Sequence, residues 1–104
     1  MKNKRLRQIE NRIKRIKQQL ANIDGIRPGT LTRQYKDRKG KKGAYFQLSY
    51  TYKMKSRIDY VRPENVDRIK EEIKNYKKFK KLTLEWIDLG IEHSKLLSQN
   101  IKNE

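Results

Sequence analysis

The sequence predicts an α+β fold: an N-terminal helix, a three-stranded antiparallel β-meander and a long C-terminal helix, with the two helices pairing antiparallel as a stalk. Three observations predict it. Apolar residues recur every three or four positions in residues 1–23 and again in 63–104, the repeat of a helix with one buried stripe. Between them, residues 44–62 (AYFQLSYTYKMKSRIDYVR) alternate with a period of two, the repeat of a strand with one dry and one wet face. Gly and Pro stand at the junctions, where the chain must turn.

In the first helix, Leu6, Ile9, Ile13, Ile16, Leu20 and Ile23 follow one another at steps of 3, 4, 3, 4 and 3. This is a heptad seam, which favours a partner helix over a broad core. Eight basic residues stand here against Glu10 alone. Charges of mixed sign would serve solvation equally well, so a single sign implies contact with a polyanion backbone. Gly25 is expected as a left-handed cap, and Pro28 with Gly29 as the central pair of a type II turn.

Residues 30–36 (TLTRQYK) read as the first strand, with Leu31 and Tyr35 on one face and Thr32 and Gln34 on the other. Residues 36–43 (KDRKGKKG) read as a flexible basic loop, whose glycines permit close approach to a ligand backbone. In the hairpin that follows, Phe46, Leu48 and Tyr50 are expected on the dry face together with Ile58 and Tyr60. Tyr45, Gln47, Ser49, Thr51 and Arg57 are expected on the wet one. A sheet this small buries too little alone, so a helix should cover its dry face.

Pro63 suits the first position of the second helix, where Glu64 and Asp67 complement the helix dipole. The seam runs through Val66, Ile69, Ile73, Tyr76 and Phe79, then through Leu82, Trp86, Leu89, His93 and Leu96; Gly90 is a candidate break. Residues 63–81 carry a net charge of +3, with Lys70, Lys74, Lys77, Lys78 and Lys81 on one stripe, and residues 82–104 carry −2 and nine apolar residues. The distal half therefore reads as an assembly surface, within the chain or between the helices of a homodimer.

At 104 residues the chain is expected to form a single domain: a basic helix (1–23), a β-meander head (24–62) and a long helix (63–104). With 28 Lys and Arg against 12 Asp and Glu, the net charge of +16 points to a polyanionic partner. Nucleic acid ranks first, an acidic protein surface or ribonucleoprotein second. A membrane ranks last, because no run of about 18 apolar residues exists and no signal-peptide core follows the basic start. A cytoplasmic location is expected. The absence of cysteine excludes disulfides and zinc ribbons, and the single histidine removes most other transition-metal sites, so neither a metal nor a cofactor is expected. No nucleophile, P-loop or dinucleotide motif occurs, so no enzyme is expected.

The candidate binding residues follow from that charge. Arg33, Lys36, Arg38, Lys39, Lys41, Lys42, Lys53 and Lys55 rim the wet face, and Lys74, Lys77, Lys78 and Lys81 supply further phosphate contacts from the helix. Gln34 or Gln47 suits an adenine edge and Arg57 a guanine edge if the sheet enters a major groove. Tyr45 suits stacking on an unpaired base.

Residues 27–35 (RPGTLTRQY), 43–50 (GAYFQLSY), 55–57 (KSR), 60–61 (YV) and 75–79 (NYKKF) resemble a family of small, basic, uncharacterised prokaryotic proteins, some in or beside transposase-like reading frames. Many of those members carry a cysteine cluster after the first strand, where this chain has Lys36-Asp37-Arg38-Lys39-Gly40, so no metal role carries over. The resemblance implies a mobile-element or viral setting. Together these readings lead to a non-enzymatic nucleic-acid-binding accessory or regulator, with DNA ahead of RNA. The alternative is an adaptor or inhibitor of a nucleic-acid-processing protein or nucleoprotein complex, and the third reading is an oligomerising scaffold.

Overall fold

The computed structural model describes the backbone of residues 2–102 and the side chains of residues 4–99. Met1, Asn103 and Glu104 lie outside it, and with them the expected outer bounds at residues 1 and 104. The elements run α1 (Lys2–Ala21), β1 (Thr30–Asp37), β2 (Lys42–Tyr52), β3 (Lys55–Val61), one 3-10 turn (Pro63–Asn65) and α2 (Val66–Lys102). The expected fold class is the observed one. The chain divides into two compact units: residues 24–77 hold the sheet and the start of α2, and residues 1–23 with those from 78 onward hold α1 and the rest of α2.

In the helical unit Leu6, Ile9, Ile16 and Leu82 are buried, with Ile9 and Ile16 wholly so. Arg5 pairs with Glu92, and Arg12 pairs with Glu85. One heptad forward on α1 therefore matches one heptad back on α2, and the helices are antiparallel. On the other flank of the seam the same step recurs: His93 Nε2 lies 3.2 Å from Glu10 Oε2, and Lys17 lies over the Trp86 ring at 5.3 Å. His93 is thus a half-buried seam residue with a carboxylate beside it.

Gly90 does not break α2, which continues through it to Lys102. One glycine costs a helix roughly 1 kcal/mol relative to alanine. Here the helix is held on both sides of that position, by Arg12–Glu85 before it and Arg5–Glu92 after it. At 37 residues, α2 is about 55 Å long at 1.5 Å per residue.

In the sheet unit the strand order is β1-β2-β3, antiparallel throughout. Leu48, Val61, Val66 and Ile69 form the core, with Leu31, Phe46, Tyr50 and Ile73 packed against it. The start of α2 therefore covers the face carrying Phe46, Leu48 and Tyr50, as a sheet of this size requires. Residues 24–29 are tied to the same helix: the Arg27 N–H donates to the Glu72 carbonyl, and Asn75 Nδ2 donates to the Gly25 carbonyl.

Three local expectations are corrected. Gly25 is not a left-handed cap, since only Gly29 and Gly43 among the glycines have positive φ. Helix α1 instead closes with tightened bonds from the Asn22 and Ile23 N–H groups to Gln19 and Leu20. A Cβ at Gly25 would sit 3.1 Å from Glu72 Oε2, the tip of a side chain.

The basic loop expected over 36–43 is a shorter hairpin turn, with only residues 38–41 between β1 and β2. Strand β1 runs to Asp37, whose Oδ1 accepts the N–H groups of Lys39 and Gly40 and so holds the turn.

Strand β3 faces the opposite way from the one its apolar residues imply. Lys53 and Met54 both have positive φ, the geometry of a two-residue type I′ turn, and Tyr52 pairs with Lys55. That register sets Tyr50 opposite Arg57, Leu48 opposite Asp59 and Phe46 opposite Val61. Arg57 and Asp59 therefore share the covered face, whereas Ile58 and Tyr60 stand on the open one, the reverse of the sequence reading. Asp59 is tolerated there because Arg27 pairs with it while lying 4.7 Å over the Tyr50 ring.

Candidate nucleic-acid interface

The open face of the sheet is assembled by cross-strand register. Thr30 faces Ser49 and Ile58, Thr32 faces Gln47 and Tyr60, and Gln34 faces Tyr45. Alternation adds Lys36 at the end of β1, and Thr51 with Ser56 near the second turn. Gln34 Nε2 approaches Thr32 Oγ1 at 3.4 Å, a long contact, and the Gln47 amide makes no hydrogen bond among the described residues. The surface offers amides, hydroxyls and two tyrosine rings.

Tyr45 and Tyr60 stand with ring centroids 5.9 Å apart, tilted at 54°. Together with Lys36 they line an open hollow of about 360 Å³. One residue comes from each strand, in a diagonal across the face. Gly43, at φ +68, makes room for the lysine stem: a Cβ there would lie 3.1 Å from Lys36 Cβ. Apolar alternation alone sets Tyr60 in the core, and only the two-residue count between Tyr52 and Lys55 signals otherwise.

Cations gather at both ends of the sheet. Arg38, Lys39 and Lys41 occupy the first turn and Lys42 opens β2; Lys53 lies in the second turn and Lys55 opens β3. All six are exposed. Arg33 lies on the covered face, over the rings of Tyr35 and Phe46 at 5.4 and 6.0 Å. Arg57 shares that face, so it does not join Gln34 and Gln47 on one reading surface.

Lys74 and Lys77 are exposed on the part of α2 that packs behind the sheet, which therefore stands between them and the open face. Lys78 and Lys81, also exposed, belong to the helical unit. Of the eight basic residues before residue 24, Arg5 and Arg12 are engaged by glutamates and Lys17 by Trp86.

Among the described residues no group of three or more His, Asp or Glu is placed to hold a metal ion. Likewise, no described helix is long and apolar enough to cross a membrane.

These features define a small basic α+β protein with a three-stranded sheet covered on one face and open on the other between cationic ends. The chain belongs to the domain-of-unknown-function family DUF6788, whose model matches residues 6–71, from the first seam residue of α1 through the sheet to the opening turns of α2. Neither a curated protein nor a solved structure matches the chain.

Proposed function

We propose that this chain is a non-enzymatic nucleic-acid-binding protein, with DNA ahead of RNA, acting as an accessory or regulator for a mobile element or phage. The observation that carries the reading is the uncovered sheet face set between two exposed clusters of cations. Phosphate contacts position a protein on its target, and amides and hydroxyls between them meet what the phosphates carry. Residues 24–62, which form this region, hold eleven basic side chains against three acidic ones. Arg27 and Asp59 pair with each other, which leaves ten basic side chains against two acidic ones. The mobile-element setting draws on the resemblance in residues 27–35, 43–50 and 75–79.

Anisotropy titrations with labelled duplex and single-stranded DNA test this reading. For 6 to 10 phosphate contacts the affinity should fall roughly 10³- to 10⁵-fold between about 50 and 200 mM salt. Charge reversal at Arg38, Lys39, Lys41 and Lys42 should weaken every sequence alike. A salt-independent affinity sinks the proposal. A cellular partner that stays bound after nuclease digestion would instead favour an adaptor of a nucleoprotein complex.

A further inference from the structure

Tyr60 keeps 75% of its surface exposed and its neighbour Ile58 keeps 58%, on a face that nothing in the sheet unit covers. A tyrosine present only to support strand pairing gains from contact with its cross-strand neighbours. Tyr60 stands opposite Gln47 and meets Tyr45 in a tilted pair, yet those contacts leave most of its ring open. The apolar area is thus displayed beside a lysine and an unpartnered amide, in a segment (24–62) of eleven basic and three acidic side chains.

We infer that Lys36, Tyr45 and Tyr60 form a site for unpaired nucleotides, one base stacking on Tyr60, the next reaching Tyr45, and Lys36 taking the phosphate beyond it. Every base has a flat face that can stack on an aromatic ring, so such a site tolerates sequence. It also requires bases free of a duplex, because paired bases present only their edges. The Gln47 amide, directly opposite Tyr60, supplies donor and acceptor to a base edge once the base is splayed out. Single-stranded DNA and RNA share this chemistry. The inference rests on the reading that the sheet meets nucleic acid, and it narrows that reading to single strands on this face.

The test compares oligothymidine, oligouridine and a mixed-sequence duplex by anisotropy, for the parent, Tyr60→Ala, Tyr60→Phe and the charge reversal of the first turn. Tyr60 is exposed, so its truncation leaves the core untouched. Tyr60→Ala should weaken binding of either single strand about 5- to 150-fold, the loss of one stacked base. The salt slope should stay unchanged, since no charge is removed. Tyr60→Phe should bind like the parent, because the ring remains. Ultraviolet crosslinking to oligothymidine should map to the strands holding Tyr45 and Tyr60. Oligodeoxyuridine, which shares its base with oligouridine, is added to the series, and the tighter of those two identifies the sugar preferred at the same site. If Tyr60→Ala binds single strands like the parent while the charge reversal weakens them, the stacking site is overturned and the nucleic-acid reading stands. If no oligonucleotide binds at all, both fall.

Discussion

Arg12 donates from Nε to Glu85 Oε2 at 2.5 Å, and one heptad along Arg5 donates to Glu92 at 2.6 Å. In each pair a second guanidinium nitrogen bonds the other carboxylate oxygen, so both are two-pronged. Two cations of the basic helix are therefore engaged by α2, and they fix its partner's direction. Arg12→Glu should lower the melting temperature of the helical signal by placing a like charge beside Glu85. Arg12→Glu combined with Glu85→Arg should recover most of the loss. A double variant no better than the single one would show that the pair does not set the pairing.

The same pairs predict how stability responds to acid. The hydrogen bonds from Arg12 and Arg5 hold Glu85 and Glu92 below the ordinary carboxylate value of 4.5. A carboxyl lowered on folding contributes stability above its unfolded value and loses it as pH falls through the folded one. The same hydrogen bonds raise both arginines above their ordinary value, so they stay charged across this range. Thermal melts should thus show no change attributable to these pairs from neutral pH down to about 4.5, and a falling midpoint below it. Glu85→Gln with Glu92→Gln should flatten that acid limb. An acid limb of equal depth in the glutamine variant would assign it to other groups.

Leu48 has no exposed surface and sits at the centre of the sheet's covered face. Leu48→Ala should cost about 2–5 kcal/mol in chemical denaturation, through reduced burial and the cavity left beneath α2. Tyr60→Ala, on the opposite face, should cost about 1 kcal/mol or less, the loss of its cross-strand pairing with Tyr45. Equal costs at the two positions would mean that the open face is covered in solution.

Much of this fold is legible in the sequence because period and burial agree. The steps from Leu6 to Leu20 mark a paired helix, and the alternation from Tyr45 to Tyr50 marks a central strand with one buried face. The third strand misleads because apolar identity there conflicts with turn geometry. Ile58 and Tyr60 look like core, yet a two-residue turn at Lys53 and Met54 sets their register whatever their polarity. Asp59 in the covered face is legible only together with Arg27, 32 positions away. The partners of Arg5 and Arg12 are visible as two glutamates the same seven residues apart, a signal that appears only when the basic helix is weighed together with α2. The candidate site suffers most, since the expected register hides Tyr60 in a core it does not enter.

The two cationic ends of the sheet are joined by β2, whose eleven residues span about 36 Å at 3.3 Å each. That length matches about ten base pairs of duplex at 3.4 Å per step, and fewer nucleotides of an extended single strand. If the ends act together, affinity should climb with oligonucleotide length until both are engaged and then level off. Lys39→Glu with Lys41→Glu cancels one end, because the two glutamates offset Arg38 and Lys42. In that variant the plateau affinity should fall, and the salt slope should decrease by about one for each phosphate no longer neutralised. The dependence on length should also vanish, because the remaining end at Lys53 and Lys55 is satisfied by a short fragment. Measured by anisotropy across a ladder of lengths, an unchanged length dependence in the variant would show that the ends do not share one strand.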